Sequence, residues 1–147
     1  MLELKVVVPN KLAVMPQPTP DDAQALAEQG YRSIINNRPD NEKPDQPKAA
    51  DVRAAAKQQG LHYEHMPVTI ESITREDVFA FRQSFILAPP PVAAHCGTGK
   101  RSYLLWAAGE VINADRPVQD LVNQGAAIGI DAKELQQVVD RISKEEE

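Results

Sequence analysis

Among 147 residues there is one cysteine, Cys96. A single thiol cannot close an internal disulfide, and such usage fits a reducing compartment. Long apolar runs are also missing. No stretch approaches the length of a membrane span. The opening residues MLELKVVVPNK hold too short an apolar run for a secretory signal. A cytoplasmic protein without membrane contact is therefore expected. Positive charge is in deficit, with 16 Lys and Arg against 21 Asp and Glu and a net charge of −5. That balance offers no electrostatic footprint for nucleic acid. Of the three histidines, His62 and His65 flank Tyr63 and Glu64 with no third ligand in sight, so neither a metal nor a cofactor is expected. There is no internal repeat and no low-complexity segment.

What remains is the material of one globular domain spanning 1–147, long enough to bury a core. The acidic end, 143–147, is expected to fray. The proline-rich stretch 38-RPDNEKPDQPK-48 reads as a surface loop rather than a linker. Strand and helix signals alternate. Residues 4–8 read as a strand ending at Pro9. Residues 19–30 read as a helix with Thr19 at the cap, Pro20 in the first position and Gly30 after its end. A strand follows over 31–35, a helix over 49–60 and a strand over 61–68. In 74–87, Thr74 and Asp77 fit a capping box, and Val78, Phe81 and Phe85 share one face. Residues 91–95 read as a short strand. Three more helices follow it: an apolar one carrying Leu104, Leu105 and Ala108, one from Pro117 with Asp115 as cap, and one from Asp131. The expected architecture is α/β, a central, mostly parallel sheet flanked by helices, with right-handed crossovers.

The chemistry concentrates in 94-AHCGTGKRS-102. In open α/β sheets, ligands bind beyond the carboxyl ends of strands. Cys96 falls at such an end, and the next residues open a helix whose first N–H groups carry partial positive charge. Gly97 and Gly99 let the backbone curl so that these N–H groups, with that of Thr98, converge on an anion. Arg101 adds a planar, permanently charged fork, and Lys100 adds positive field at the mouth. The same field favours a cysteine thiolate. His95 is expected behind the loop, bonded to its backbone or tuning the cysteine. Ser102 is expected to donate to the sulfur. A nucleotide-binding P-loop is excluded: Ala94 stands where the first glycine belongs, and Arg101 replaces the Ser or Thr after Lys100. Arg38, following a strand in 36-NNRPD-40, is a candidate extension of the positive pocket. Tyr103 and Trp106 read as core.

These residues resemble the Cys-Arg signature of protein tyrosine and dual-specificity phosphatases. The spacing Cys96-x4-Arg101 is one residue short of that signature and resembles the six-residue loop of rhodanese-type sulfurtransferases. The stretch 17–42 followed by HCGTGKRS resembles the phosphatase-like domain of beta-lactamase hydrolase-like proteins, also called DUF442, over roughly the first 115 residues. The resemblance implies a dual-specificity-phosphatase-like fold, a small anionic substrate, and an association with a metallo-β-lactamase-fold partner of sulfide or persulfide oxidation.

Two reactions follow. A phosphatase needs a thiolate, an oxyanion cradle and an acid for the leaving oxygen. The resemblance puts that acid upstream of the cysteine, where Glu64 stands; Glu71, Asp77 and Asp40 are the other carboxylates to consider. A sulfurtransferase needs no acid: Cys96 accepts a sulfane sulfur, the loop and Arg101 stabilise the terminal sulfur, and an external thiol removes it. The short loop and the lack of an obvious acid favour sulfur transfer. Phosphomonoester hydrolysis through a phosphocysteine is the alternative. A non-catalytic anion- or partner-binding module and an oxidation sensor at Cys96 complete the set.

Overall fold

A computed structural model of the chain describes residues 2–146. Strand β1 (Lys5–Val8) turns back through Asn10, at φ 64°, into β2 (Leu12–Met15). Asn is one of the few residues that tolerate the left-handed region. Helix α1 (Asp22–Glu28), β3 (Ser33–Asn36), α2 (Ala49–Gln58), β4 (His62–His65), α3 (Arg75–Leu87) and β5 (Val92–His95) follow. The chain ends in α4 (Lys100–Ala114), α5 (Val118–Ala127), α6 (Leu135–Ser143) and a 3₁₀ turn at Lys144–Glu146.

The sheet order is β1-β2-β5-β3-β4. Only β1 and β2 are antiparallel; β2 with β5, β5 with β3 and β3 with β4 are parallel. Strand β2 is absent from the expected element order. Its residues LAVM are apolar throughout, as befits a strand buried on both faces, but such a run carries no alternation to mark it.

Alternate residues feed two cores. Met15, Ile34 and Ala93 pack with Ala23, Leu26 and Ala56 of α1 and α2. Leu12, Val14, Ile35, Val92 and Ala94 pack on the other face with α3 to α6. Helix α4 runs through this second core with Tyr103 to Gly109 buried without interruption, which explains why it lacks a polar face. Tyr103 and Trp106 are core residues; the Tyr103 hydroxyl donates to the Leu121 carbonyl at 2.6 Å.

Several ends differ from expectation for local reasons. Helix α1 starts at Asp22, whose carboxylate accepts the Thr19 N–H and hydroxyl at 2.7 and 3.1 Å. Asp115 does not cap α5; at φ 52° it closes α4, and Pro117 precedes α5. The expected frayed tail is a 3₁₀ turn through Glu146, and the Glu145 carboxylate accepts the Arg75 N–H at 2.8 Å; Glu147 lies outside the described residues.

Candidate functional site

The parallel strands deliver their carboxyl ends to one edge. Gln17 follows β2, Asn37 and Arg38 follow β3, Val68 follows β4 and Cys96 follows β5. Because β5 lies between β2 and β3, the residue after it sits where chain connections leave the sheet in opposite directions, the usual place for a ligand crevice.

The loop from Cys96 to Arg101 wraps around the sulfur. Gly99 takes φ 100°, a left-handed conformation that suits glycine, so a side chain there would be strained. This turn aims the Gly99 N–H at Cys96 Sγ, at 3.1 Å. The Arg101 N–H, in the first turn of α4, donates to the same sulfur at 3.3 Å. Cys96 is 1% exposed, so the sulfur is buried beneath the loop that donates to it. Two N–H donors and a helix start are the arrangement that stabilises negative charge on sulfur.

The arginines converge above it. Arg101 donates through Nη1 to Glu42 Oε2 and through Nη2 to Glu42 Oε1, both at 2.8 Å, and through Nη1 to the Val68 carbonyl at 2.9 Å. Arg38, 6% exposed, donates through Nε to the same Glu42 Oε1 at 2.9 Å and through Nη1 to Gln17 Oε1 at 3.1 Å. Both side chains lie beside Gly97, where an added Cβ would be 3.6 Å from Arg101 Nη2 and 3.7 Å from Arg38 Cζ. Burial opposes the Arg101 charge, but the Glu42 hydrogen bonds and the neighbouring Cys96 sulfur outweigh it and raise the Arg101 pKa. The Arg101 hydrogen bond holds the Glu42 carboxyl below its ordinary pKa. Arg38 thus lies beside the Cys96 loop and bonds the Glu42 and Gln17 side chains rather than backbone carbonyls.

Other expected roles are redistributed. Ser102 does not donate to the sulfur. Its hydroxyl donates to Asn37 Oδ1 at 2.8 Å, while Asn37 Nδ2 donates to the Met66 carbonyl and the Asn37 N–H to the His95 carbonyl. Ser102 thus ties α4 to the segment after β3. Lys100 is not free at the mouth: its Nζ pairs with Glu134 Oε2 at 2.8 Å. The Thr98 hydroxyl faces the Lys100 N–H at 3.4 Å, within the loop. His95 is fully buried and donates from Nδ1 to the Cys96 carbonyl at 3.4 Å, leaving Nε2 without a partner. Desolvation pushes its pKa down to about 3, so it is a neutral backbone support.

None of the candidate acids reaches the loop. Glu64 pairs with His62 Nε2 at 3.0 Å and accepts the Ser84 hydroxyl at 2.7 Å; the His62 bond leads in lowering its pKa, the wrong direction for an acid. Asp40 Oδ1 accepts the Ala49 N–H at the start of α2. Asp77 completes the capping box of α3 with Thr74. Glu71 is exposed in a 3₁₀ turn. Glu42, the carboxylate that does reach the site, was not among the expected residues. Its one sequence mark is the i,i+4 spacing from Arg38. Among the described residues, no group of three His, Cys, Asp or Glu is placed to hold a metal.

Comparison with known proteins fits this geometry. Residues 3–113 match the family model described as beta-lactamase hydrolase-like protein, phosphatase-like domain. A beta-lactamase hydrolase-like protein of Xylella fastidiosa is 39% identical over 87% of this chain, and one of Agrobacterium fabrum is 36% identical over 86%. The matched region is 30% and 29% of those relatives' lengths, so the chain corresponds to less than a third of each. Among solved structures, a candidate phosphatase of Neisseria meningitidis superposes with a TM-score of 0.84 at 33% identity, covering 94% of this chain and 96% of that one. Tk-PTP superposes at 0.74 with 14% identity over 96% of each chain, a likeness of fold alone. The fold is that of the tyrosine and dual-specificity phosphatases, with a Cys-x4-Arg loop in the cysteine position. The chain belongs to the phosphatase-like domain family of the beta-lactamase hydrolase-like proteins.

Proposed function

We propose that the chain is a cysteine-dependent sulfurtransferase. The Cys96 thiolate attacks the outer sulfur of an anionic donor such as thiosulfate. The new S–S bond forms as the donor's S–S bond breaks, and sulfite leaves with the electron pair. Cys96 now carries a persulfide anion. The thiolate of an external acceptor then takes the terminal sulfur and regenerates Cys96. The sequence is redox-neutral and needs no acid on a leaving oxygen. An external acceptor is required because the chain has no second cysteine.

The observation that carries this reading is that no candidate carboxylate hydrogen-bonds to the Cys96 sulfur or to a loop N–H among the described residues. Glu42 accepts from two arginines, Glu64, Asp40 and Asp77 serve other partners, and Glu71 is exposed. An alkoxide leaves a phosphate ester poorly without a proton donor, whereas sulfite and thiolates leave as anions. The Gly99 and Arg101 N–H groups already directed at Sγ suit a charge that stays on sulfur.

A specific observation favours a second reading, hydrolysis of a phosphate ester. Two guanidinium groups beside Gly97 form a cradle for a tetrahedral oxyanion, and the chain's fold is phosphatase-like. Paired kinetics on one preparation separate the two. Thiosulfate with a thiol acceptor is expected to turn over, an alkyl phosphate to release little phosphate, and Cys96→Ser to abolish the sulfur reaction while leaving the circular dichroism unchanged. Phosphate release that depends on Cys96 without sulfur transfer would reverse the assignment.

A further inference from the structure

The carboxylate that both arginines hold is supplied by the protein itself. Asn41 sits at φ 67°, a turn that places Glu42 immediately after it. Gln46 then fixes the segment: its Oε1 accepts the Glu42 and Lys43 N–H groups at 3.1 and 3.3 Å, and its Nε2 donates to the Pro39 carbonyl at 2.8 Å. Asp40 anchors the far end through the Ala49 N–H. From below, His65 Nε2 donates to the Arg38 carbonyl at 2.7 Å. The proline-rich loop is thus an ordered platform that presents one carboxylate to two guanidinium groups 4 and 59 residues away.

The contacts have the pattern of a bound anion. Glu42 Oε1 is shared by Arg38 Nε and Arg101 Nη2, and Oε2 takes Arg101 Nη1. The side chain of Arg38 is 7% exposed and that of Arg101 15%, while Glu42 is 26% exposed. The arginines are built in and the carboxylate lies nearer solvent, so Glu42 is the member free to leave. The local charge sum matters as well. Two arginines and one glutamate leave a single positive charge, and Lys100 is matched by Glu134. A monoanion gains little by replacing Glu42. A dianion restores the neutralisation of both arginines and relieves its own charge.

We infer that Arg38 and Arg101 together form a dianion site in which Glu42 is the resident competitor, so that an incoming dianionic substrate must displace the Glu42 carboxylate. Arg38 and Glu42 are then the residues that set selectivity for charge, alongside the loop that holds Cys96. This deepens the reading of Cys96 as a nucleophile toward anions and rests on it, but it concerns binding and is the same for thiosulfate or a phosphate ester.

The test is binding without turnover. Sulfate serves as the dianion probe and formate as the monoanion, each scored by calorimetry and by protection of Cys96 from the neutral alkylating agent iodoacetamide. Removing one negative charge at contact distance is expected to tighten sulfate about tenfold in Glu42→Gln after allowance for solvent screening, with a much smaller change for formate. Arg38→Gln is expected to weaken sulfate, and the Glu42→Gln gain is expected to shrink in the double variant. If Glu42→Gln does not fold, Glu42→Ala, which removes the same charge, makes the same comparison. Unchanged sulfate affinity in a folded Glu42 variant overturns the inference, as does an equal gain for formate or a full gain in the absence of Arg38. Sulfate binding as expected without sulfur transfer would defeat the proposed reaction and leave the site standing; sulfur transfer with sulfate indifferent to Glu42 would do the reverse.

Discussion

His95 and Glu42 make the site sensitive to acid for different reasons. Burial keeps His95 neutral, with a pKa of about 3, whereas in the unfolded chain it titrates near the ordinary histidine value of 6.5. Between these values the unfolded state binds the extra proton, so stability falls as pH drops through that window, by at most about 1.4 kcal/mol per pH unit. Glu42 adds to the trend. Its folded pKa lies below the ordinary carboxylate value, so its contribution is present above that value and fades as pH falls through the folded one. His95→Gln is expected to flatten the dependence of unfolding free energy between about pH 6.5 and pH 4, measured by urea titration at several pH values. An undiminished slope would place the acid sensitivity elsewhere. Cys96, Gly99 and Arg101 were legible from sequence because one local motif holds them all. Glu42 was not, because its meeting with Arg101 spans 59 residues and leaves no periodic trace. Ser102 was misread for a related reason: next to Arg101 in sequence, it faces Asn37 in space.

Among the elements, α3 is the sharpest check on the missing acid. The Thr74 hydroxyl accepts the Asp77 N–H at 3.1 Å and the Asp77 carboxylate accepts the Thr74 N–H at 2.9 Å. Asp77→Ala is expected to cost about 1 kcal/mol of stability, and Glu64→Gln to release Ser84 and His62. Neither should change turnover by more than about twofold, since neither side chain reaches Cys96. A large fall in kcat for either variant, with stability retained, would restore it as an acid. The α3 cap was readable because a capping box is written in four consecutive residues. The β1–β2 hairpin was half-missed because β2 is uniformly apolar and its turn residue Asn10 follows Pro9 without a glycine signal.

For the whole molecule, topology brings the chemistry together. Four parallel strands leave Gln17, Arg38, Val68 and Cys96 at one edge, and α4 begins there with its N–H groups on the sulfur. The α/β class and the mostly parallel sheet were legible because helix and strand periods alternate along the chain. The pairing of Arg38 with Arg101 became visible only once the strands were ordered. The central claim is that the sulfur at this edge is a carrier of sulfur. The most direct measurement is the intact mass of the protein after incubation with thiosulfate and removal of excess donor. An increase of about 32 Da on Cys96 is expected, reversed by a thiol and absent from Cys96→Ser. An unmodified Cys96 under those conditions, together with an increase of about 80 Da when a phosphate ester is trapped before hydrolysis, would contradict it.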